Sequence, residues 1–171
     1  VLAGHLLEAI RRVRGCDPRR IALVGHSLGG IVGRYAVNLL GAEEHVHTLI
    51  TLGSPHRGSP WARVLARLPV FRDSPSLAQI APGSALLAQL DAAPPLQTTS
   101  VLSIYSEHDR HCPRPMAEIP LRAEDVRIRN VSVGAIGHEG LVIDTKVYAL
   151  IRSTLWEETA REKHRVSTAT R

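Results

Sequence analysis

Residues 21–30 constrain the fold of this chain more than any other segment. Residues 21–24 (IALV) form an unbroken apolar run, which is typical of a strand buried on both faces of a parallel sheet. The run leads into residues 25–30 (GHSLGG), which fit the pattern G-x-S-x-G, and an apolar repeat at helical spacing begins at Ile31. A serine on such a sharp strand-to-helix turn lies in strained backbone between small neighbours. The segment therefore predicts a parallel α/β fold with Ser27 raised above the carboxyl end of the sheet.

Strand-like and helix-like patterns alternate along most of the chain. The other helical repeats lie in residues 2–13, 31–40 and 147–155, and the other strand-like runs lie in residues 46–52, 101–105 and 126–133. This alternation predicts a mostly parallel sheet flanked by helices. We expect residues 1–158 to form this core and residues 159–171 to be a polar, disordered tail.

Residues 59–97 interrupt the alternation, and we expect them to form a short lid or cap insertion over the edge of the sheet. Four apolar residues at helical spacing mark one face of its first helix: Trp61, Val64, Leu65 and Leu68. This face would either meet lipid and a bound acyl chain or pack permanently on the core.

The composition argues against several classes of protein. The formal net charge of +5 comes largely from arginines that are scattered and not interleaved with aromatic residues, so we expect no nucleic-acid partner. No apolar run reaches the roughly 18 residues that a membrane-spanning helix needs.

The two cysteines are not expected to form a disulfide. Cys16 and Cys112 fall at opposite ends of the predicted sheet, which is too far for a disulfide. The helical pattern that starts at Val1 indicates a chain cut from a longer protein.

Residues 25–30 resemble the nucleophile elbow of bacterial lipases and esterases of the α/β-hydrolase superfamily. Residues 52–59 (LGSPHRGS) are similar to the segment after the next strand in triacylglycerol-lipase-like members. The resemblance implies an α/β-hydrolase fold, here without its first strands, and a Ser-Asp-His triad. We expect Leu28 N–H, at a helix N-terminus, to be one oxyanion-hole donor. The family's second donor loop does not precede the elbow here, so we expect this chain alone to be weakly active or inactive.

The resemblance implies that the catalytic acid lies between the serine and the histidine in chain order. Asp109 follows the predicted strand at residues 101–105 and resembles the acid of the lipase pattern D-x-x-V-P, with Cys112 in place of the valine. The competing carboxylates are Glu107, which is the nearest, and the weaker candidates Asp91, Asp125 and Asp144. The alternative for Asp109 is a loop aspartate that forms an Asx-turn.

The catalytic base must be chosen among nine histidines by position. His138 follows the last predicted strand and precedes the C-terminal helix, which resembles the catalytic-histidine loop of the family. The remaining histidines lie on the leading helix (His5), in the tail (His164), at the opposite end of the sheet (His45, His47), beside the serine (His26), or on loops that could line a pocket (His56, His108, His111). The alternative for His138 is a surface loop histidine.

These residues predict a serine hydrolase that cleaves carboxylic esters through an acyl-enzyme, a lipase or carboxylesterase acting on lipid or acyl esters. We expect His26, Trp61 and Leu65 to contact the substrate, and a lipid surface is a candidate transient partner. A thioesterase or acyltransferase would use the same triad, and a non-catalytic binding protein of this fold is a different class. A haloalkane dehalogenase needs a carboxylate nucleophile, which Ser27 is not.

No cofactor or metal ion is expected. The histidines, acid and thiol of residues 108–112 (HDRHC) suggest zinc at first sight. Their close spacing within one loop does not give a tetrahedral set of ligands, and no carboxylate cluster indicates calcium.

Overall fold

The computed structural model describes residues 1–16, 21–65, 68 and 74–169, without the side chains of residues 16, 63, 65, 159 and 161–169. Its centre is a four-stranded sheet whose strands lie side by side in chain order. The strands are β1 (Ile21–His26), β2 (Val46–Leu52), β3 (Ser100–Tyr105) and β4 (Ile128–Ser132), and every neighbouring pair is parallel. The predicted parallel sheet is therefore confirmed.

Helices cover both faces of the sheet. They are α1 (Leu2–Cys16), α2 (Leu28–Leu39), α3 (Pro60–Leu65), α4 (Pro75–Gln79), α5 (Ala85–Ala92), α6 (Arg114–Ala117), α7 (Gly140–Ile143) and α8 (Thr145–Ala169), with a 3-10 turn at Ala42–Glu44. Within the described residues, no helix is both long enough and apolar enough to cross a membrane.

Two core clusters lie on opposite sides of β2. Leu49 points towards α1 and α2, where it packs with Ile10 and Val37. Its neighbour Ile50 points the other way and packs with Val147 of α8. Successive side chains of a strand alternate between the two faces of a sheet, so a strand covered on both faces buries nearly every side chain. The buried polar groups of β2 are therefore hydrogen-bonded, Thr48 Oγ1 with His47 and Thr51 Oγ1 with His56.

Helix α2 approaches the sheet closely because it carries glycines on its inner face. A methyl group at Gly33 would lie 2.8 Å from Leu49 Cδ1, and one at Gly30 would lie 2.8 Å from Thr51 Cβ. Both distances are shorter than carbon atoms normally approach, so an added methyl group would force Leu49 or Thr51 to shift. The close approach holds the N-terminus of α2 against the ends of β1 and β2.

The predicted insertion forms α3, α4 and α5, and its last helix is fixed to the core. Leu87 and Leu90 of α5 pack on Ile31 of α2. The buried Arg34 guanidinium donates to Leu90 O and to Asp91 Oδ1, each at 3.2 Å. Helix α5 is therefore part of the packed structure.

The C-terminal residues differ from the expected disordered tail, since α8 runs to Ala169. Residues 157–165 are rich in Glu, Ala, Arg and Lys, which are strong helix formers. Polarity suggested disorder, but high helix propensity lets a polar segment extend a packed helix.

Candidate active site

Ser27 lies on a sharp turn between β1 and α2. Its backbone has φ 52° and ψ −123°, and it is the one non-glycine residue with positive φ in the described ranges. Ser27 N–H donates to Leu52 O at 2.9 Å, which ties the turn to the end of β2. Residues held in such backbone cost about 1–3 kcal/mol and concentrate at functional sites.

The turn requires glycine at position 25 but not at position 29. A methyl group at Gly25 would lie 2.6 Å from the carbonyl carbon of Gly29, whereas a methyl group at Gly29 would meet nothing within 4 Å. Leu28 is the first residue of α2, so its N–H belongs to the helix end that lacks internal acceptors. Such an N–H is available to bind an anion.

Asp109 and His138 are joined by a hydrogen bond of 2.7 Å between Asp109 Oδ2 and His138 Nδ1. The other carboxylate oxygen, Oδ1, accepts the backbone N–H of His111 at 2.9 Å and that of Cys112 at 2.8 Å. Asp109 is 2% exposed. The Asx-turn that was the alternative for Asp109 is therefore present together with the bond to His138. Oδ1 forms the turn, and Oδ2 binds the histidine.

His138 lies after β4, and its ring is held between other groups. His26 Nε2 donates to His138 O at 3.1 Å, and the centres of these two rings are 4.5 Å apart. The exposed His111 ring lies 5.2 Å from the His138 ring on another side. Because His26 precedes Ser27 directly, this contact brings the histidine loop to the serine turn. No hydrogen bond joins the Ser27 hydroxyl to the His138 ring among the described atoms, and such bonds often form only with substrate bound.

Gly53 is a site residue that the sequence reasoning missed. It follows β2 with φ 52°, and its N–H donates to Ile104 O at 2.9 Å. A methyl group on Gly53 would lie 2.8 Å from Asp109 Oδ2 and 3.1 Å from His138 Nδ1. The available sequence signal was its place in the Gly-Ser-Pro-His segment directly after a strand.

The competing carboxylates are engaged elsewhere. Asp91 pairs with Arg34, and Asp125 receives two hydrogen bonds from the Arg122 guanidinium.

The other two acids accept hydrogen bonds from neutral groups. Asp144 Oδ1 accepts Lys146 N–H and Val147 N–H at the start of α8, as a helix cap does. Glu107 Oε1 accepts from the Ser132 hydroxyl at 3.2 Å. Each of these four acids is therefore bound to local partners.

His56, expected on a pocket wall, is instead fully buried. Its Nε2 shares a hydrogen bond of 3.0 Å with Thr51 Oγ1, and its Nδ1 has no partner among the described residues. Burial, assisted by the nearby Arg34 charge, holds the pKa of His56 well below its usual value. His56 is therefore a neutral core group below the site.

The expected substrate contacts lie on different elements. Trp61 is 53% exposed on α3, and its Nε1–H donates to Arg110 O at 3.3 Å, which joins α3 to the loop of Asp109. His26 lies against His138. The side chain of Leu65 falls outside the described residues.

Three potential metal ligands do lie close together. Ligand-type atoms of Asp109, His111 and His138 are within 4.8 Å of one another in the described part of the chain. The hydrogen bond between Asp109 and His138 already accounts for much of this proximity. Burial, with the nearby Asp109 charge, raises the pKa of the Cys112 thiol to about 12, which disfavours the thiolate that zinc requires.

Comparison with known proteins gives two kinds of match. Residues 5–72 match the PGAP1-like alpha/beta domain family. The GPI inositol-deacylase of Debaryomyces hansenii is 38% identical over 65 residues, which are 34% of this chain and 6% of the fungal protein. The sequence likeness thus covers β1, Ser27 and β2, and a small part of the fungal protein's length.

Solved structures match over nearly the whole chain. The mature lipase BlEst2 of Bacillus licheniformis superposes with a TM-score of 0.75 at 18% identity, over 90% of this chain and 73% of the lipase. An alpha/beta hydrolase enzyme from the metagenome of lagoon sediments at Mar Chica, Morocco, gives a TM-score of 0.59 at 17% identity, over 92% of this chain and 71% of that enzyme. At these identities the likeness concerns the fold.

Proposed function

Because this chain has the α/β-hydrolase fold, we propose that it is a serine hydrolase that cleaves carboxylic esters, of the lipase or carboxylesterase kind. The observation that carries the proposal is the 2.7 Å hydrogen bond between Asp109 and His138, beside a serine held in strained backbone. An acid, a base and a nucleophile on the ends of three parallel strands are the parts that acyl transfer needs.

The first step forms an acyl-enzyme. His138 Nδ1–H donates a hydrogen bond to Asp109 Oδ2, which leaves the lone pair of Nε2 free to act as base. Nε2 takes the Ser27 hydroxyl proton while Oγ bonds to the ester carbonyl carbon, and the carbonyl electron pair moves to oxygen. Leu28 N–H stabilises that oxyanion. The carbonyl re-forms, the C–O bond breaks, and His138 protonates the departing alcohol.

The second step releases the acid. His138 takes a proton from water, the water oxygen attacks the acyl carbon, and Ser27 Oγ leaves with the proton that His138 returns. Asp109 stays ionised and stabilises the imidazolium each time it forms. Its Oδ1 already accepts two backbone N–H groups, so the carboxylate cannot rotate away from the histidine.

The substrate proposal is an ester with an acyl chain. The curated relative is named a deacylase and the bacterial neighbour a lipase. Trp61 and Val64 on α3 are half exposed, and Trp61 is bonded to the Asp109 loop, so they offer an apolar wall to an acyl chain. His26 beside His138 is a further proposed contact, and Leu65 stays a candidate from the sequence. Transient contact of this wall with a lipid surface belongs to the same proposal.

The test is covalent labelling with a fluorophosphonate, followed by location of the adduct by mass spectrometry. We expect labelling at Ser27 that is lost in Ser27→Ala and in His138→Ala. The matched control is His108→Ala, since His108 is an exposed histidine on the loop of Asp109. It should label like the wild type. This chain alone is expected to label weakly, so absence of labelling would refute the hydrolase proposal in a folded protein that also contains the second oxyanion-hole donor. Turnover of thioesters in preference to oxygen esters would favour a thioesterase.

A further inference from the structure

Ser106 follows β3 directly and lies between the two loops that carry Asp109 and His138. It is fully buried. Its hydroxyl donates to Gly134 O at 2.6 Å and accepts the N–H groups of Ile136 at 2.9 Å and His108 at 3.1 Å. One donated and two accepted hydrogen bonds use the whole capacity of a hydroxyl group.

These hydrogen bonds reach both members of the acid–base pair through short stretches of backbone. On the acid side, Ser106 O accepts Asp109 N–H at 3.4 Å. On the base side, Ile136 precedes His138 by two residues. A second hydrogen bond, from Glu107 N–H to Gly134 O at 3.1 Å, runs parallel to the first. The Ser106 hydroxyl is thus the side chain that joins the two loops, beside the backbone hydrogen bond from Glu107.

Ser103 shows what a serine with a purely structural role looks like in this strand. It lies in β3, is fully buried, and its hydroxyl donates to Ala117 O at 2.8 Å. Ala117 belongs to α6, and the bond contacts neither loop of the site. Loss of either hydroxyl leaves buried polar backbone unpaired, which destabilises the fold.

We propose that Ser106 is a positioning residue that keeps Asp109 and His138 in hydrogen-bonding register. It touches neither the substrate nor the reacting atoms and acts through the backbone of the two loops. The proposal rests on the proposed function only in taking this pair as the acid and base of the reaction. The effect of Ser106 on the hydrogen bond between Asp109 and His138 does not depend on the proposed function.

The experiment compares Ser106→Ala with Ser103→Ala in the intact protein. We expect Ser106→Ala to lower kcat about 10- to 100-fold with KM within about twofold, because small misplacements of catalytic groups cost this much. Ser103→Ala should also lower the free energy of unfolding, since its bond to Ala117 O is lost, but keep kcat within about twofold.

A spectroscopic readout separates the two proposals. The downfield proton resonance of His138 Nδ1–H, assigned by its loss in His138→Ala, should weaken in Ser106→Ala and persist in Ser103→Ala. This readout needs no turnover, so it tests the register even if wild-type protein fails to label or hydrolyse esters. If Ser106→Ala does not fold, the nearly isosteric Ser106→Cys replaces it, because a thiol is a weak donor. Equal kcat and equal resonance in the serine-106 and serine-103 variants would overturn the proposal.

Discussion

The Gly53 backbone lies so close to Asp109 that a methyl group on its Cα would approach the carboxylate Oδ2 to 2.8 Å. The same methyl group would lie 3.1 Å from His138 Nδ1, at the hydrogen bond that joins the pair. The end of β2 therefore forms a wall against the acid and base, and this wall has room for no side chain.

Gly53→Ala should damage both stability and activity. The positive φ of 52° strains any other residue, and the new methyl group must push Asp109 and His138 apart. We expect kcat for ester hydrolysis to fall at least about tenfold and up to about 100-fold. The matched control is Gly83→Ala, since Gly83 has φ 78° but open space around it. It should lose about 1 kcal/mol of stability and retain activity. Equal activity of the two variants would contradict the role of Gly53.

Cys112 should resist thiol reagents while the protein is folded. The thiol is buried, and its pKa of about 12 leaves almost no thiolate at pH 8. A Cys16→Ser variant isolates this thiol. We expect no release of thionitrobenzoate from Ellman's reagent by the native variant over an hour, and one equivalent per chain in guanidinium chloride. Stoichiometric reaction of the native variant within minutes would show that Cys112 is accessible.

The protein should lose stability as pH falls below about 6.5, the usual pKa of histidine in an unfolded chain. The folded-state pKa of His56 is lowered, so below pH 6.5 the unfolded chain binds a proton that the folded chain refuses. Stability is therefore retained above that pH and lost below it, by up to about 1.4 kcal/mol per pH unit.

Urea unfolding of the wild type and His56→Asn at pH 7, 6 and 5 measures this contribution. The slope of the unfolding free energy against pH should be shallower in the variant. His5→Asn, at an exposed histidine of α1, controls for loss of a histidine as such. Parallel slopes in the wild type and His56→Asn would rule out His56 as the source.

Glu43 should stabilise the fold far from the site. Its Oε1 accepts the backbone N–H groups of Gln97 at 2.6 Å, Thr98 at 2.7 Å and Thr99 at 3.3 Å, just before β3 begins. Glu43→Ala leaves these donors without their shared charged acceptor, so we expect the free energy of unfolding to fall by about 2–3 kcal/mol in urea titrations. The exposed neighbour Glu44 provides the control, and Glu44→Ala should change stability by less than about 0.5 kcal/mol. Similar losses in both variants would indicate a general charge effect.

The sequence was sufficient for the parallel sheet and for the turn of Ser27, because both depended on a local pattern. An apolar run that meets a Gly-x-Ser-x-Gly turn can be read without tertiary information, whereas Asp109 and His138 were chosen among several acids and histidines by their resemblance to the loops of a known family, and their roles stay a prediction. Their hydrogen bond then agrees with the expected order of residues.

The missed features depend on contacts between segments distant in the chain. Ser106 resembles any serine in a turn until residues 134–136 lie against it. Gly53 resembles any loop glycine until Asp109, 56 positions later, fills the space beside it. His56 was placed near the surface because its loop follows a strand, yet its side chain turns inward to Thr51. Composition and periodicity carry no signal for such encounters.

The attachment of α5 to α2 has a consequence for engineering the substrate range. Residues 59–97, which lie between β2 and β3, could be exchanged between related proteins to test which acyl chains the proposed hydrolase accepts, while Gly53 beside Asp109 and His138 is kept. The Arg34 guanidinium is buried in the recipient scaffold and depends on Leu90 O and Asp91 for its hydrogen bonds. A graft that places no acid and no backbone carbonyl beside Arg34 would leave this buried cation without hydrogen-bond partners. The exchanged segment should therefore end before Leu90, or Arg34 should be exchanged together with it.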